Sequence, residues 1–324
     1  MNGPSHIPLH VQHALMGLST VAPGLAGRIA AYLAFRTSRG LPQPNGRALL
    51  ERGRRFEVRD GRRRIAAWTW GIGPVVHLVH GWNGQAAQLG AFVAPLVASG
   101  HQVVAHDGPG HGESSGRSSS LVEMADALTA VAAASGHVHA VIAYELGGAA
   151  AALAIASGLP VSRATFIATP ADAGRCEAAL FQTGSFERAA AHTARVLAER
   201  RLGARLDDVF LSSFGRTLSL PVLVVHDRGD DRVPFEDALL AVRSIRDAGL
   251  IATDGLGHVG LVHDASTVEE VVQFTALPAP RRQARPGAPE ASPRSRSFAA
   301  APIGRMTSAG VAPTARLPIR LRLA

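Results

Sequence analysis

Lysine is absent from this chain of 324 residues, so all 33 basic groups are arginines. Cysteine is almost absent as well. The single Cys176 excludes an intramolecular disulfide framework and fits a reducing compartment. No long uninterrupted apolar run is present either. The most apolar early stretch, residues 11–35, is broken by His13, Pro23 and Arg28, and no basic segment precedes it. We therefore expect neither a signal peptide nor a membrane span, but a soluble cytoplasmic protein with no membrane partner. No repeat is visible. Only 5% of residues are aromatic, yet with 47% hydrophobic and 18% charged the chain can bury a sizeable core, which excludes a disordered protein or a small stapled domain.

Acidic residues are scarce in one place only. From 279 to 324 there are nine arginines against Glu290, a net of +8, which equals the net charge of the whole chain. The other 278 residues balance at 24 Arg and 24 Asp+Glu. The tail is also rich in Pro, Ala and Ser, with seven prolines interrupting any helical or strand period, so it is expected to be disordered. Nucleic acid is thus an unlikely partner, confined to the tail as an anion-binding arm; a merely solvated extension is the plainer alternative.

The remaining chain reads as three parts. Residues 1–53 form an N-terminal helical cover, with helical periodicity over 8–38 in two pieces and Leu9, Leu15, Leu18, Leu25, Ile29, Leu33 and Phe35 on an apolar face. Residues 54–278 form an α/β domain opened by a hairpin at Asp60-Gly61, whose arginines face outward. Short apolar runs at 75–79, 103–105, 138–143, 164–168, 222–225 and 250–252 then alternate with helical segments. That alternation predicts a mostly parallel, twisted sheet with helices on both faces. A longer, mostly helical insertion at 171–218 is placed to cap a site at the carboxyl ends of the strands.

Those strand ends carry a series of motifs in order: His80-Gly-Trp-Asn-Gly84, Asp107-Gly-Pro-Gly-His-Gly-Glu-Ser114, Ala143-Tyr-Glu-Leu-Gly-Gly148, His226-Asp-Arg-Gly-Asp-Asp-Arg-Val-Pro234 and Gly255-Leu-Gly-His258. Each is weak evidence alone. Together, over about residues 54–274, they resemble the α/β-hydrolase superfamily. The resemblance implies His258 as general base and Asp230 as its orienting acid, with Asp227 and Asp231 close enough to take that place. It also implies an oxyanion hole made by the backbone N–H groups of Trp82 and Leu146. His80 and His111 are expected to shape turns rather than carry protons. Trp82 is open to two roles, pocket wall or simple packing.

One position departs from the pattern. In the family's Gly-x-Ser-x-Gly turn, small residues flank a serine nucleophile; here Ala143 and Gly147 keep the flanks while Glu145 stands in the serine position. A glutamate has no hydroxyl proton for His258 to remove. Three readings follow. The chain is a hydrolase acting on a small ester-, epoxide- or halide-type substrate with Glu145 as carboxylate nucleophile, or it is a catalytically inactive, ligand-binding descendant with Glu145 in the oxyanion hole, or residue 145 is altered. No single-base change converts a serine codon to a glutamate codon, which weakens the last. The chemistry requires no cofactor, and no metal-ligand spacing or phosphate loop is present. A small molecule is the expected partner.

Overall fold

The computed structural model describes residues 9–40, 42–175, 187–278 and 320–321. Cys176, residues 176–186 of the cap insertion and nearly all of the arginine-rich tail lie outside these residues.

The apolar runs become the parallel strands of one sheet. A hairpin of β1 (Arg54–Asp60) and β2 (Arg63–Trp70) leads into β3 (Val75–Val79), β4 (Gln102–His106), β5 (Val138–Tyr144), β6 (Val161–Ile167), β7 (Val222–Asp227) and β8 (Ala248–Thr253). Their order is β1-β2-β4-β3-β5-β6-β7-β8, with β1/β2 and β2/β4 antiparallel and all later pairs parallel. A two-residue strand, Arg320–Leu321, pairs with the β8 edge, so this dipeptide of the tail departs from the disorder expected there. An open strand edge offers unpaired N–H and C=O groups that even a short segment can use.

Seven of the helices bear on the site. The first three are α1 (Leu9–Val21), α2 (Pro23–Ala34) and α3 (Pro44–Arg52). Then come α4 (Leu121–Ser135), α5 (Leu146–Ala156), α6 (Arg188–Leu202) and α7 (Ala265–Ala276). Helix α4 starts where Ser120 Oγ accepts the Glu123 N–H, and α7 where Asp264 accepts that of Thr267. Two apolar clusters fill the faces of the sheet, one around Leu78, Phe92 and Ile142, the other around Val141, Phe166 and Val224. Burial on both faces explains why the parallel strands are continuous apolar runs.

The N-terminal cover differs from expectation in its packing. Helices α1 and α2 lie on the cap helix α6, and the contact is made by Leu15, Ala26, Ala30 and Ala31 against Ala190 and Ala194. A Cβ on Gly27 would come 2.5 Å from the Ala190 carbonyl oxygen, so the two helices approach too closely for large side chains. Leu25, expected on the buried face, is consequently 53% exposed.

Candidate functional site

Helix α5 aims its N-terminus at the carboxyl ends of β3 and β5 because its first turn has almost no side chains. A Cβ on Gly147 would sit 2.1 Å from the His80 carbonyl oxygen, and one on Gly148 1.9 Å from Thr169 Oγ1. Strand β5 therefore turns into α5 through a sharp bend at Glu145, with φ 53° and ψ −129°, a conformation that is strained for any residue with a side chain. This is the elbow geometry, with a carboxylate at its tip.

The Glu145 side chain reaches across to the loop after β3. The Trp82 N–H donates to Glu145 Oε2 at 2.6 Å, and the Leu146 N–H also donates to the carboxylate. A Cβ on Gly81 would stand 2.8 Å from Oε2, so glycine is needed there to admit the carboxylate. Gln88 holds this loop from behind, its Oε1 accepting the Gly81 N–H at 2.8 Å. Burial pushes the Glu145 carboxyl above its ordinary range, opposed by the Leu146 and Trp82 N–H groups and then by the charges of His258 and Arg232.

A carboxyl held above its unfolded value costs stability once pH rises through it, because the folded state then carries a charge it disfavours. Glu145→Gln is therefore expected to lose less thermal stability than the parent as pH rises above the ordinary glutamate range of ~4.3. Circular-dichroism melts at successive pH values measure it; a difference independent of pH contradicts the assignment.

The base and acid positions also come together. His258 Nδ1 lies 2.8 Å from Asp230 Oδ2, and the second Asp230 oxygen accepts the N–H groups of Arg232 and Val233. Burial alone would raise the Asp230 carboxyl, but hydrogen bonds from His226 and His258 and the His258 charge hold it well below the usual carboxylate range. Neither neighbouring acid competes. Asp227 accepts from Thr253 Oγ1, Leu256 N–H and Gly229 N–H, while Asp231 is exposed.

Three supporting side chains have roles that the motifs did not assign. Gln88 is one. His226 is another; fully buried, it places Nε2 2.9 Å from the Val233 carbonyl and 3.4 Å from Asp230 Oδ2. The third is Tyr144, whose hydroxyl donates to the His258 carbonyl at 3.2 Å while the two rings lie 5.1 Å apart. Each contact depends on how a loop folds back, which residue spacing does not encode.

The remaining histidines of the motifs are scaffolding. His80 accepts the Gly108 N–H at Nε2 and lies 2.7 Å from the Gly81 carbonyl at Nδ1, tying two strand-end loops together. Burial lowers His80 to about 4 and His111 to about 3, so both rings are neutral at physiological pH. Trp82 stands edge-on to His111 at 5.4 Å and packs with Phe35, Leu146 and Phe210. Among the described residues no group of His, Cys, Asp or Glu has the arrangement of a metal site.

A parallel sheet, a strained elbow between β5 and α5, and a histidine–carboxylate pair at the ends of β7 and β8 together define the α/β-hydrolase fold. Residues 78–274, more than half of the chain, match the model of the Alpha/beta hydrolase family, and the chain belongs to that family. No curated protein matches the sequence. Among solved structures, it is similar to an esterase of Pyrococcus furiosus (TM-score 0.58, 15% identity, covering 74% of this chain and 96% of that one). It is also similar to the esterase RhEst1 of a Rhodococcus species (TM-score 0.53, 22% identity, 69% and 98% covered). The third is Est1E of Butyrivibrio proteoclasticus with bound ferulic acid (TM-score 0.55, 16% identity, 68% and 96% covered). At these identities the likeness is one of fold.

Proposed function

We propose that this chain is a hydrolase-fold protein that binds a small uncharged organic molecule and does not cleave esters by the serine route, because its own Glu145 carboxylate takes the place of the substrate oxyanion. The observation that carries this reading is the 2.6 Å hydrogen bond from the Trp82 N–H to Glu145 Oε2, joined by the Leu146 N–H. Those donors would otherwise stabilise the negative charge that develops on a substrate carbonyl. Charge-assisted bonds of this kind contribute ~1.5–3 kcal/mol each, so a neutral ester oxygen competes poorly for them. A ligand carboxylate is disfavoured too, since it would face an ionised Glu145.

A second reading draws support from the 2.8 Å contact of His258 with Asp230, a pair able to activate water. In it, one Glu145 oxygen stays on the N–H donors while the other attacks a saturated carbon. Either the carbon–halogen bond breaks and halide leaves, or an epoxide carbon–oxygen bond breaks and its oxygen stays on the product as an alkoxide that takes up a proton; water deprotonated by His258 then hydrolyses the resulting ester and restores the Glu145 carboxylate. Against it, glutamate is longer than aspartate by one methylene, which misplaces the attacking oxygen by ~1.5 Å, and errors of about 1 Å cost ~100-fold. The Tyr144 hydroxyl, a potential proton donor to an alkoxide, is already committed to the His258 carbonyl.

An activity panel separates the two. With esters, epoxides and haloalkanes as substrates, the parent is expected to show no turnover above Glu145→Gln and His258→Ala. Epoxide or haloalkane turnover by the parent that disappears in Glu145→Gln establishes the carboxylate nucleophile instead.

A further inference from the structure

The close packing of α2 on the cap helix α6 takes up the small residues and leaves the large ones outside. Val21, at the end of α1, is 80% exposed, and on α2 Leu25 and Tyr32 are 53% and 61% exposed, where positions 25, 28 and 32 follow helical spacing. Arg28 is the exposed residue between them. Arg36 donates from Nη1 to the Tyr32 hydroxyl at 3.1 Å and stacks over its ring, 5.6 Å from the centroid. Among the described residues nothing covers this face.

Charge singles out the same segment. The first 50 residues contain no Asp or Glu and four arginines, 28, 36, 39 and 47, a net of +4. Residues 51–278 carry 20 Arg against 24 acids, a net of −4, and 279–324 carry +8, which restores the total of +8. The balance across residues 1–278 therefore hides a segregation, with an acid-free N-terminal segment set on an anionic body; of its arginines, Arg28 and Arg36 lie at this face, while Arg39 donates to the Ser114 and Gly116 carbonyls and Arg47 lies in α3. An outward apolar stripe, an interfacial tyrosine paired with arginine and charge of one sign are the features of a helix that lies in the plane of a membrane.

We propose that the α1–α2 hairpin is a docking surface for an anionic lipid bilayer, with Val21, Leu25 and Tyr32 entering the headgroup layer and Arg28 and Arg36 facing lipid phosphates. This revises the expectation of no membrane partner for peripheral contact alone; no helix among the described residues is long and apolar enough to cross a bilayer. The surface adjoins the site. Phe35, at the exit of α2, packs in the cluster that holds Trp82 and Leu146, and the Ser38 N–H donates to Asn83 Oδ1 at 2.8 Å. Docking would set the rim of the Glu145 site beside the lipid, where apolar ligands concentrate. The inference does not depend on what Glu145 does.

Flotation of the full-length protein with phosphatidylcholine vesicles, with and without phosphatidylglycerol, tests it. The parent is expected to float with the anionic vesicles only, less so as salt is raised. Leu25→Glu combined with Tyr32→Glu should lower the partition by about tenfold or more, with an unchanged thermal melt because both sites are exposed. Arg28→Gln, a milder change, should lower it by a smaller factor. Three results overturn the proposal. One is failure of the parent to float. Another is a double variant that floats as well as the parent, which leaves binding to the tail. The last is a parent that is dimeric by light scattering and becomes monomeric in the double variant, which makes the face a contact between two copies of this chain.

Discussion

Glu145→Ser is expected to show measurable esterase activity where the parent shows none. The substitution removes the carboxylate from the Trp82 and Leu146 N–H groups and places a hydroxyl at the tip of an elbow that is already strained, with φ 53°. His258 is already paired with Asp230 at 2.8 Å, so the base keeps its tautomer and orientation. Single oxyanion donors are worth ~10²–10³ in turnover, and here two are freed together with the arrival of a nucleophile. Hydrolysis of a short-chain p-nitrophenyl ester should rise by about 10³-fold or more over the parent. Glu145→Ala, which frees the donors and supplies no nucleophile, should stay near background. If Glu145→Ser folds normally and remains at the level of Glu145→Ala, the remaining site is not a poised hydrolase site.

The second large effect concerns pH. Burial lowers His77 and His80 to about 4, and His106 and His111 to about 3, with neighbouring histidines adding to the shift for all but His77. A histidine whose folded value is depressed below the unfolded ~6.5 gives the unfolded chain the greater proton affinity. Stability present above pH ~6.5 is therefore lost as pH falls toward the folded values, at up to about 1.4 kcal/mol per pH unit for each such group. Four adjacent groups do not add fully, yet a loss of several kcal/mol by about pH 5 is comparable with a typical domain's whole stability of ~5–15 kcal/mol. Asp230 and Asp227, both held low, act in the same direction, while Asp107 and Glu145, both raised by burial, oppose it.

Acid unfolding is accordingly expected with a midpoint near pH ~5, followed by tryptophan fluorescence. His77 is the most costly of the four, since neither ring nitrogen finds a partner among the described residues. His77→Leu, of similar volume, should stabilise the protein by ~1–2 kcal/mol at neutral pH and shift the midpoint to lower pH. A native chain at pH ~3 contradicts this account.

How far the sequence reaches depends on the kind of contact. The parallel strands were legible because burial on both faces leaves unbroken apolar runs; the run 75–79 coincides with β3, and the others miss strand ends by one to three residues, 164–168 starting three late and running one past β6. The elbow was legible from Ala143 and Gly147, since close approach to the His80 carbonyl tolerates nothing larger. Helix α2 was misread at Leu25 because periodicity was scored on large side chains, whereas tight helix pairing is made by alanine and glycine. The choice among Asp227, Asp230 and Asp231 needed the fold of the loop, since four residues of sequence separate them all. Only the structure puts Asp227 against Thr253 and Leu256 and turns Asp230 to His258. His226, Gln88 and Tyr144 were invisible as supports for the same reason. Residue spacing left the course of the Glu145 side chain open, and only the folded chain brings it to the Trp82 N–H.

Amide chemical shifts test the central claim most directly. The Trp82 and Leu146 backbone N–H groups donate to the Glu145 carboxylate, so their proton resonances should follow one titration curve. Its midpoint should lie above the ordinary glutamate range of ~4.3, and the curve should vanish in Glu145→Gln. Amide shifts that stay flat with pH, or that titrate identically in Glu145→Gln, would show that the carboxylate does not occupy the oxyanion site.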